Sequence, residues 1–123
     1  MNRDILKQKS DENWISGQVC LEYKLYNAAA NRFYYSFYQA VTYWADRMGK
    51  IQCNKYSPKH DECENRLKYD FTSQPQMWIS YAEMCSLRVT ADYSLSHIGE
   101  SDLDKEFLDQ VKEFIAILTD ETK

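Results

Sequence analysis

The sequence predicts an all-α protein, an up-and-down bundle of four to five helices. Three observations predict it. Apolar residues recur at steps of three and four along several long segments, which is the period of one helix face. Only 3 Gly and 2 Pro occur in 123 residues, so there are few places to turn. No stretch alternates polar and apolar residues as a half-buried strand would, and no hairpin signal appears. The length suits a single domain over residues 1–123, and a 44% hydrophobic content is enough to give it one core. Short loops make most neighbouring helices antiparallel.

The first helix is expected over residues 3–21, with Leu6, Trp14, Val19 and Leu21 on its buried side. A second start is open at Ser10, an N-cap residue followed by Asp11 and Glu12 in a first turn. Gly17 weakens the middle of this helix by up to about 1 kcal/mol relative to Ala.

The central helix, Asn27–Gly49, organises the rest. Tyr26, Ala30, Phe33, Phe37, Val41, Trp44 and Met48 form one face. Asn27, Asn31, Tyr35, Gln39, Tyr43 and Asp46 form the other. Tyr34 and Tyr38 widen the apolar stripe beyond what one partner needs, so two or more neighbours are expected. Gly49 is the expected left-handed residue that ends the helix.

A loop follows over Lys50–Tyr56. Ser57-Pro58 then reads as an N-cap with Pro at the first helical position, and a short polar helix runs to about Phe71. Leu67 and Phe71 are its expected anchors. Pro75 opens a fourth helix, whose packing face is expected to be Trp78, Ala82, Cys85, Val89 and Tyr93. It ends before Gly99. Ser101–Asp104 starts the last helix, with Leu103, Phe107, Val111, Phe114, Ile115 and Leu118 as its stripe.

Composition excludes several classes of function. The net charge of −4 argues against a globally basic nucleic-acid binder. Charge is uneven, however. From Arg32 to Lys68 there are seven basic and four acidic residues, and from Glu100 to Lys123 eight acids and three Lys. A loop folded beside Arg32 would make a modest basic patch. No apolar leader and no apolar run near the ~20 residues of a membrane span is visible, so a cytoplasmic protein without membrane contact is expected.

Chemical motifs are sparse. There is no Gly-rich phosphate loop, no His-Glu-x-x-His and no nucleophile elbow. The four cysteines include no C-x-x-C pair. Cys53, His60 and Cys63 could offer three zinc ligands, but at no standard spacing and with no fourth, so no metal and no cofactor are expected. Cys20 and Cys85 read as small core residues. A Cys53–Cys63 disulfide would need an oxidising compartment. His60 opens the third helix, and His97 lies in the connector beside Gly99. Arg88 and Asp92, four apart, suit a surface ion pair. Arg32 lies one turn before Tyr35, and an arginine near a tyrosine suits phosphate and base contacts.

Three of these segments together carry a family resemblance. AAANRFYYSFYQAV (28–41) resembles the second-helix signature of HEPN domains. SPKH (57–60) is similar to the stretch that opens their third helix. LRVTADY (87–93) resembles the Arg…Ala-Asp-Tyr segment of HEPN proteins encoded beside minimal nucleotidyltransferases. The order is the family's, and nearly the whole chain is covered. The resemblance implies a helical bundle that forms a homodimer and contacts a nucleotide or RNA. It also implies a nucleotidyltransferase protein as partner, in a toxin–antitoxin arrangement. Arg32, Tyr35, Arg88, Asp92 and Tyr93 are the positions that would carry the binding surface.

Ribonuclease members of that family place four to six residues between Arg and His. This sequence departs from that motif: eight residues separate Arg88 from His97. A non-catalytic binding domain is therefore the first expectation. A metal-independent endoribonuclease using Arg88 and His97 is the second. A helical interaction module with no nucleotide role is the third.

Overall fold

The structure is a computed structural model that describes residues 3–53 and 56–122. It is an all-α bundle. Among the described residues five helices follow in order: α1 (Asp4–Glu22), α2 (Tyr26–Arg47), α3 (His60–Asp70), α4 (Pro75–Tyr93) and α5 (Lys105–Leu118). A short 3-10 turn, Glu100–Leu103, precedes α5. Helix α2 is central and packs against all four other helices. From Ala40 to Ala45 it is buried on every side, which is why Tyr43 lies inside although it was expected on the polar face.

Cross-helix contacts give the directions. Helix α1 runs antiparallel to α2, as Arg3–Asp46, Ser10–Ser36 and Asn13–Arg32 show. Helix α4 does likewise, through Asn31–Asp92 and Arg88–Tyr35. The end of α5 is tied to the end of α2. The Tyr43 hydroxyl donates to Glu121 at 2.9 Å, and Arg47 Nη2 donates to the Asp120 carbonyl at 3.1 Å.

The start of α1 differs from the Ser10 alternative. Ser10 is not a cap but a fully buried residue at the crossing of α1 and α2. Its Oγ donates to the Ser36 carbonyl at 2.8 Å, and Ser36 Oγ donates back to the Ser10 carbonyl at 2.7 Å. Small residues there let the backbones approach closely. Gly17 serves the same approach against Phe33. Val19, expected inside, is exposed, because the buried side of α1 is Ser10, Trp14 and Gly17.

Helix α2 stops as expected. Met48 is its C-cap, and Gly49 adopts φ 71°. The Gly49 and Lys50 amides then bond back to the Asp46 and Ala45 carbonyls, closing a Schellman motif. Met48, assigned to the apolar face, is exposed at that end.

Helix α3 begins two residues later than Ser57-Pro58 predicts. Ser57 and Pro58 lie outside any helix, Lys59 is the N-cap, and His60 is the first helical residue. The reason is tertiary. The Tyr38 hydroxyl donates to the Pro58 carbonyl at 2.6 Å and pins the segment against α2. The segment 56–59 therefore lies beside the middle of α2, and α3 descends from there along that helix. Leu67 and Phe71 anchor α3 as expected, Phe71 against Trp44 with ring centroids 5.0 Å apart. Cys63 is a third anchor, fully buried.

The inward face of α4 is also rotated from the predicted one. Met77, Ser80, Tyr81, Met84 and Cys85 are buried, while Val89 and Tyr93 are exposed. Apolar residues occur all round this helix, so two stripes share the same period and packing selects one. The rotation brings Arg88 to the edge of the buried face. Last, α5 is capped by Asp104, whose Oδ1 accepts from the Phe107 amide at 2.8 Å.

All four cysteines are free thiols, Cys63 and Cys85 buried, Cys20 and Cys53 half-buried. Among the described residues no helix is long and apolar enough to cross a membrane.

Candidate functional site

The antiparallel packing of α2 and α4 lines up two rows of polar side chains. Asn27, Asn31 and Tyr35 repeat every four residues on α2, so they share one face. His97, Asp92 and Arg88 meet them in reverse order. Asn27 Nδ2 lies 3.3 Å from His97 Nδ1, Asn31 Nδ2 donates to Asp92 Oδ2 at 3.0 Å, and Arg88 Nη2 donates to the Tyr35 hydroxyl at 3.1 Å.

Arg88 is the centre of this arrangement. Its side chain is only 17% exposed. Its guanidinium carbon sits 5.5 Å from each of the Tyr34, Tyr35 and Tyr93 ring centroids. Asp92 Oδ2 lies 3.2 Å from its Nε. Burial works against the charge, but Tyr35, Tyr93, Asp92 and Tyr34 outweigh it and raise the pKa. The Arg88–Asp92 pair is thus not the freely exposed surface pair that the spacing alone suggests.

Arg88 forms one wall of an open groove of about 500 Å³. Tyr34, Tyr35 and Tyr38 supply another wall, and Ser57, Pro58, Lys59, His60 and Asp61 close the third side. The three segments that carry the HEPN resemblance therefore meet at one place. The tyrosines are interlocked, with Tyr35 edge-on to Tyr34 at 5.1 Å and to Tyr38 at 6.2 Å. Beneath them lie Tyr81 and Cys63. Desolvation holds the Tyr34, Tyr38 and Tyr81 hydroxyls protonated, well above the ordinary range. It also pushes the Cys63 thiol up to about 12. These groups therefore form a neutral, rigid floor rather than a source of nucleophiles.

Of the expected site residues, Arg88, Tyr35, Asp92 and Tyr93 come together. Arg32 stands apart from this contact network. It is exposed, and its Nη1 donates to Asn13 on α1 at 3.4 Å. The loop Tyr56–Lys59 consequently folds beside Tyr38 and Arg88 instead of Arg32. Lys55 and Lys123, counted in the charge runs, lie outside the described residues. His97 is held at the start of α2. Asn27 Oδ1 already accepts from the Ile98 amide at 2.9 Å, so its Nδ2 must be the donor to His97. His97 Nδ1 is then the acceptor, and in the neutral ring Nε2 carries the proton. The partners of Arg88 and His97 on α2, Tyr35 and Asn27, are eight residues apart, about 12 Å of helical rise.

Sequence reasoning missed Lys59 and His60 as groove residues, and it read Tyr34 and Tyr38 only as core. Proximity of 57–61 to Arg88 depends on the Tyr38–Pro58 contact, which no spacing records. Among the described residues no group of three or more His, Cys, Asp or Glu could hold a metal.

A larger groove, about 1050 Å³, lies between α1, the start of α2 and the segment leading into α5. Its floor includes Trp14, Phe33, Leu103 and Leu108. Its charged lining, Lys24, Lys105 and Lys112 against Glu22, Glu100, Asp104 and Asp109, is mixed and nearly balanced, so its charge favours no ligand class.

Compared with known proteins, the chain matches no family model, no curated protein and no solved structure. The functional reading therefore rests on the groove.

Proposed function

We propose that the Arg88 groove binds the phosphate and base of a nucleotide or of an RNA strand, as a non-catalytic HEPN-like domain. One observation carries this reading. A guanidinium enclosed by tyrosine rings faces the Lys59–Asp61 segment across an open groove. Guanidinium and ammonium groups suit phosphate oxygens, and tyrosine faces at the groove wall suit stacked bases. Arg88 is held in place by Tyr35, so little side-chain entropy is lost when an anion arrives.

The test is an NMR titration with adenosine 5′-monophosphate and a short single-stranded RNA. Shifts should map to Tyr35, Lys59, His60 and Arg88. Arg88→Ala should abolish binding with the helical signal intact. Unchanged binding by Arg88→Ala refutes the reading.

A second reading, endoribonuclease activity, is favoured by His60 lining the same groove as Arg88. It expects RNA cleavage in EDTA that is lost on Arg88→Ala or His60→Ala and survives His97→Ala. Cleavage that depends on His97 instead would restore the Arg88/His97 pair. A protein partner or a second copy is supported by exposed apolar side chains at two helices: Ile15 and Val19 on α1 with Tyr23 at its C-cap, and Val89 and Tyr93 on α4. Solution mass by light scattering, alone and with a nucleotidyltransferase, tests that expectation.

A further inference from the structure

We infer that Asp92 tunes the groove, acting as an internal counter-charge that limits how tightly Arg88 holds a phosphate. The inference rests on the reading of the groove as a nucleotide site and names how that site is regulated.

The geometry separates charge compensation from binding. Asp92 Oδ2 is within 3.2 Å of Arg88 Nε, yet that buried Nε makes no hydrogen bond. The carboxylate is instead held by Asn31, whose Nδ2 donates to the same oxygen at 3.0 Å. Asn31 thus parks a negative charge beside the guanidinium without saturating its fork of donors. Nη2 is engaged by the Tyr35 hydroxyl, and Nη1 has no hydrogen-bond partner among the described residues. A phosphate can therefore approach the guanidinium without displacing Asp92. It does so against the repulsion of a carboxylate one helical turn from Arg88. The other charges on the groove wall are Lys59 and Asp61, which offset one another. Asp92 consequently decides whether the groove presents a net positive charge or none.

Removing only that charge should tighten binding. Asp92→Asn keeps the shape and can still accept from Asn31, while Tyr34, Tyr35 and Tyr93 keep Arg88 in place. With the pair partly screened by solvent, about threefold to tenfold tighter binding is expected. The gain should shrink as salt is raised.

The experiment is a calorimetric titration of adenosine 5′-monophosphate into wild type, Asp92→Asn, Asp92→Glu and Arg88→Ala, each checked for helicity. Tighter binding by Asp92→Asn, with no gain from Asp92→Glu, supports the inference. Equal gains from both variants overturn it, because the effect would then be steric. Binding that needs Arg88 but is unchanged or weaker in Asp92→Asn overturns this inference alone. Binding undiminished in Arg88→Ala, or no binding by wild type and Asp92→Asn alike, overturns the groove reading and this inference with it.

Discussion

Replacing Gly17 by Ala sets two physical effects against each other. Gly17 lies inside α1, where helix propensity favours Ala by about 1 kcal/mol. On propensity alone the variant should be more stable. The tertiary structure gives the opposite sign. A Cβ at position 17 would lie 2.6 Å from both Cδ1 and Cε1 of Phe33 and 3.0 Å from Cζ. Carbon atoms in contact sit at roughly 3.5–4.0 Å, so the ring must move by about 1 Å. It has little room to move. Phe33 is only 1% exposed and packs on Trp14, with ring centroids 4.7 Å apart. Overpacking of this kind costs about 1–3 kcal/mol. The net expectation is a loss of about 1 kcal/mol, which for a chain of this size lowers Tm by about 3–6 °C. Urea unfolding followed by circular dichroism measures it. Phe33→Leu supplies the control, because in that background Gly17→Ala should become neutral or stabilising. A stabilised Gly17→Ala in the wild-type background would refute the claim that Gly17 is there for close helix approach.

Other expectations follow from single residues. Lys24 adopts φ 62° where α1 turns into α2, so Lys24→Gly should stabilise the fold by up to about 1 kcal/mol, read from thermal melts. The pH dependence has a definite sign. Burial penalises the Cys63 thiolate and pushes the thiol from its ordinary 9.0 up to about 12 in the fold. Its stabilising contribution is complete below pH 9 and is lost as pH rises from there towards 12, at up to about 1.4 kcal/mol per pH unit. Urea midpoints at pH 8 and pH 10.5 should show the fall. Cys63→Ala should lessen the dependence, and Tyr34, Tyr38 and Tyr81 should account for part of what remains.

Much of the bundle was legible because helices announce themselves locally. The 3–4 periodicity of α2 and α5, Gly49 at a left-handed turn and Pro75 at a helix start all act within a few residues of chain. Arg88, Asp92, Tyr35 and Tyr93 were also legible as candidates, through the residue types in two segments. The groove itself was not. Ser57-Pro58 carries a good local start signal, yet the helix waits until His60, because the Tyr38 hydroxyl takes the Pro58 carbonyl.

By itself, then, the sequence determined the helices and their approximate ends, since backbone propensity and capping are properties of neighbouring residues. Tertiary structure decided which face each helix buries. In α4 two stripes of equal period compete, and only packing against α2, α3 and α5 selects Met77, Tyr81 and Met84 over Val89 and Tyr93. That choice of rotation moves Arg88 from a solvated helix face to a cage of tyrosine rings. It also places the Lys59–Asp61 segment across a groove from Arg88. Side chains distant in sequence meet only when the core is packed, so a site built from three helices and a loop is written in the packing rather than in any one segment.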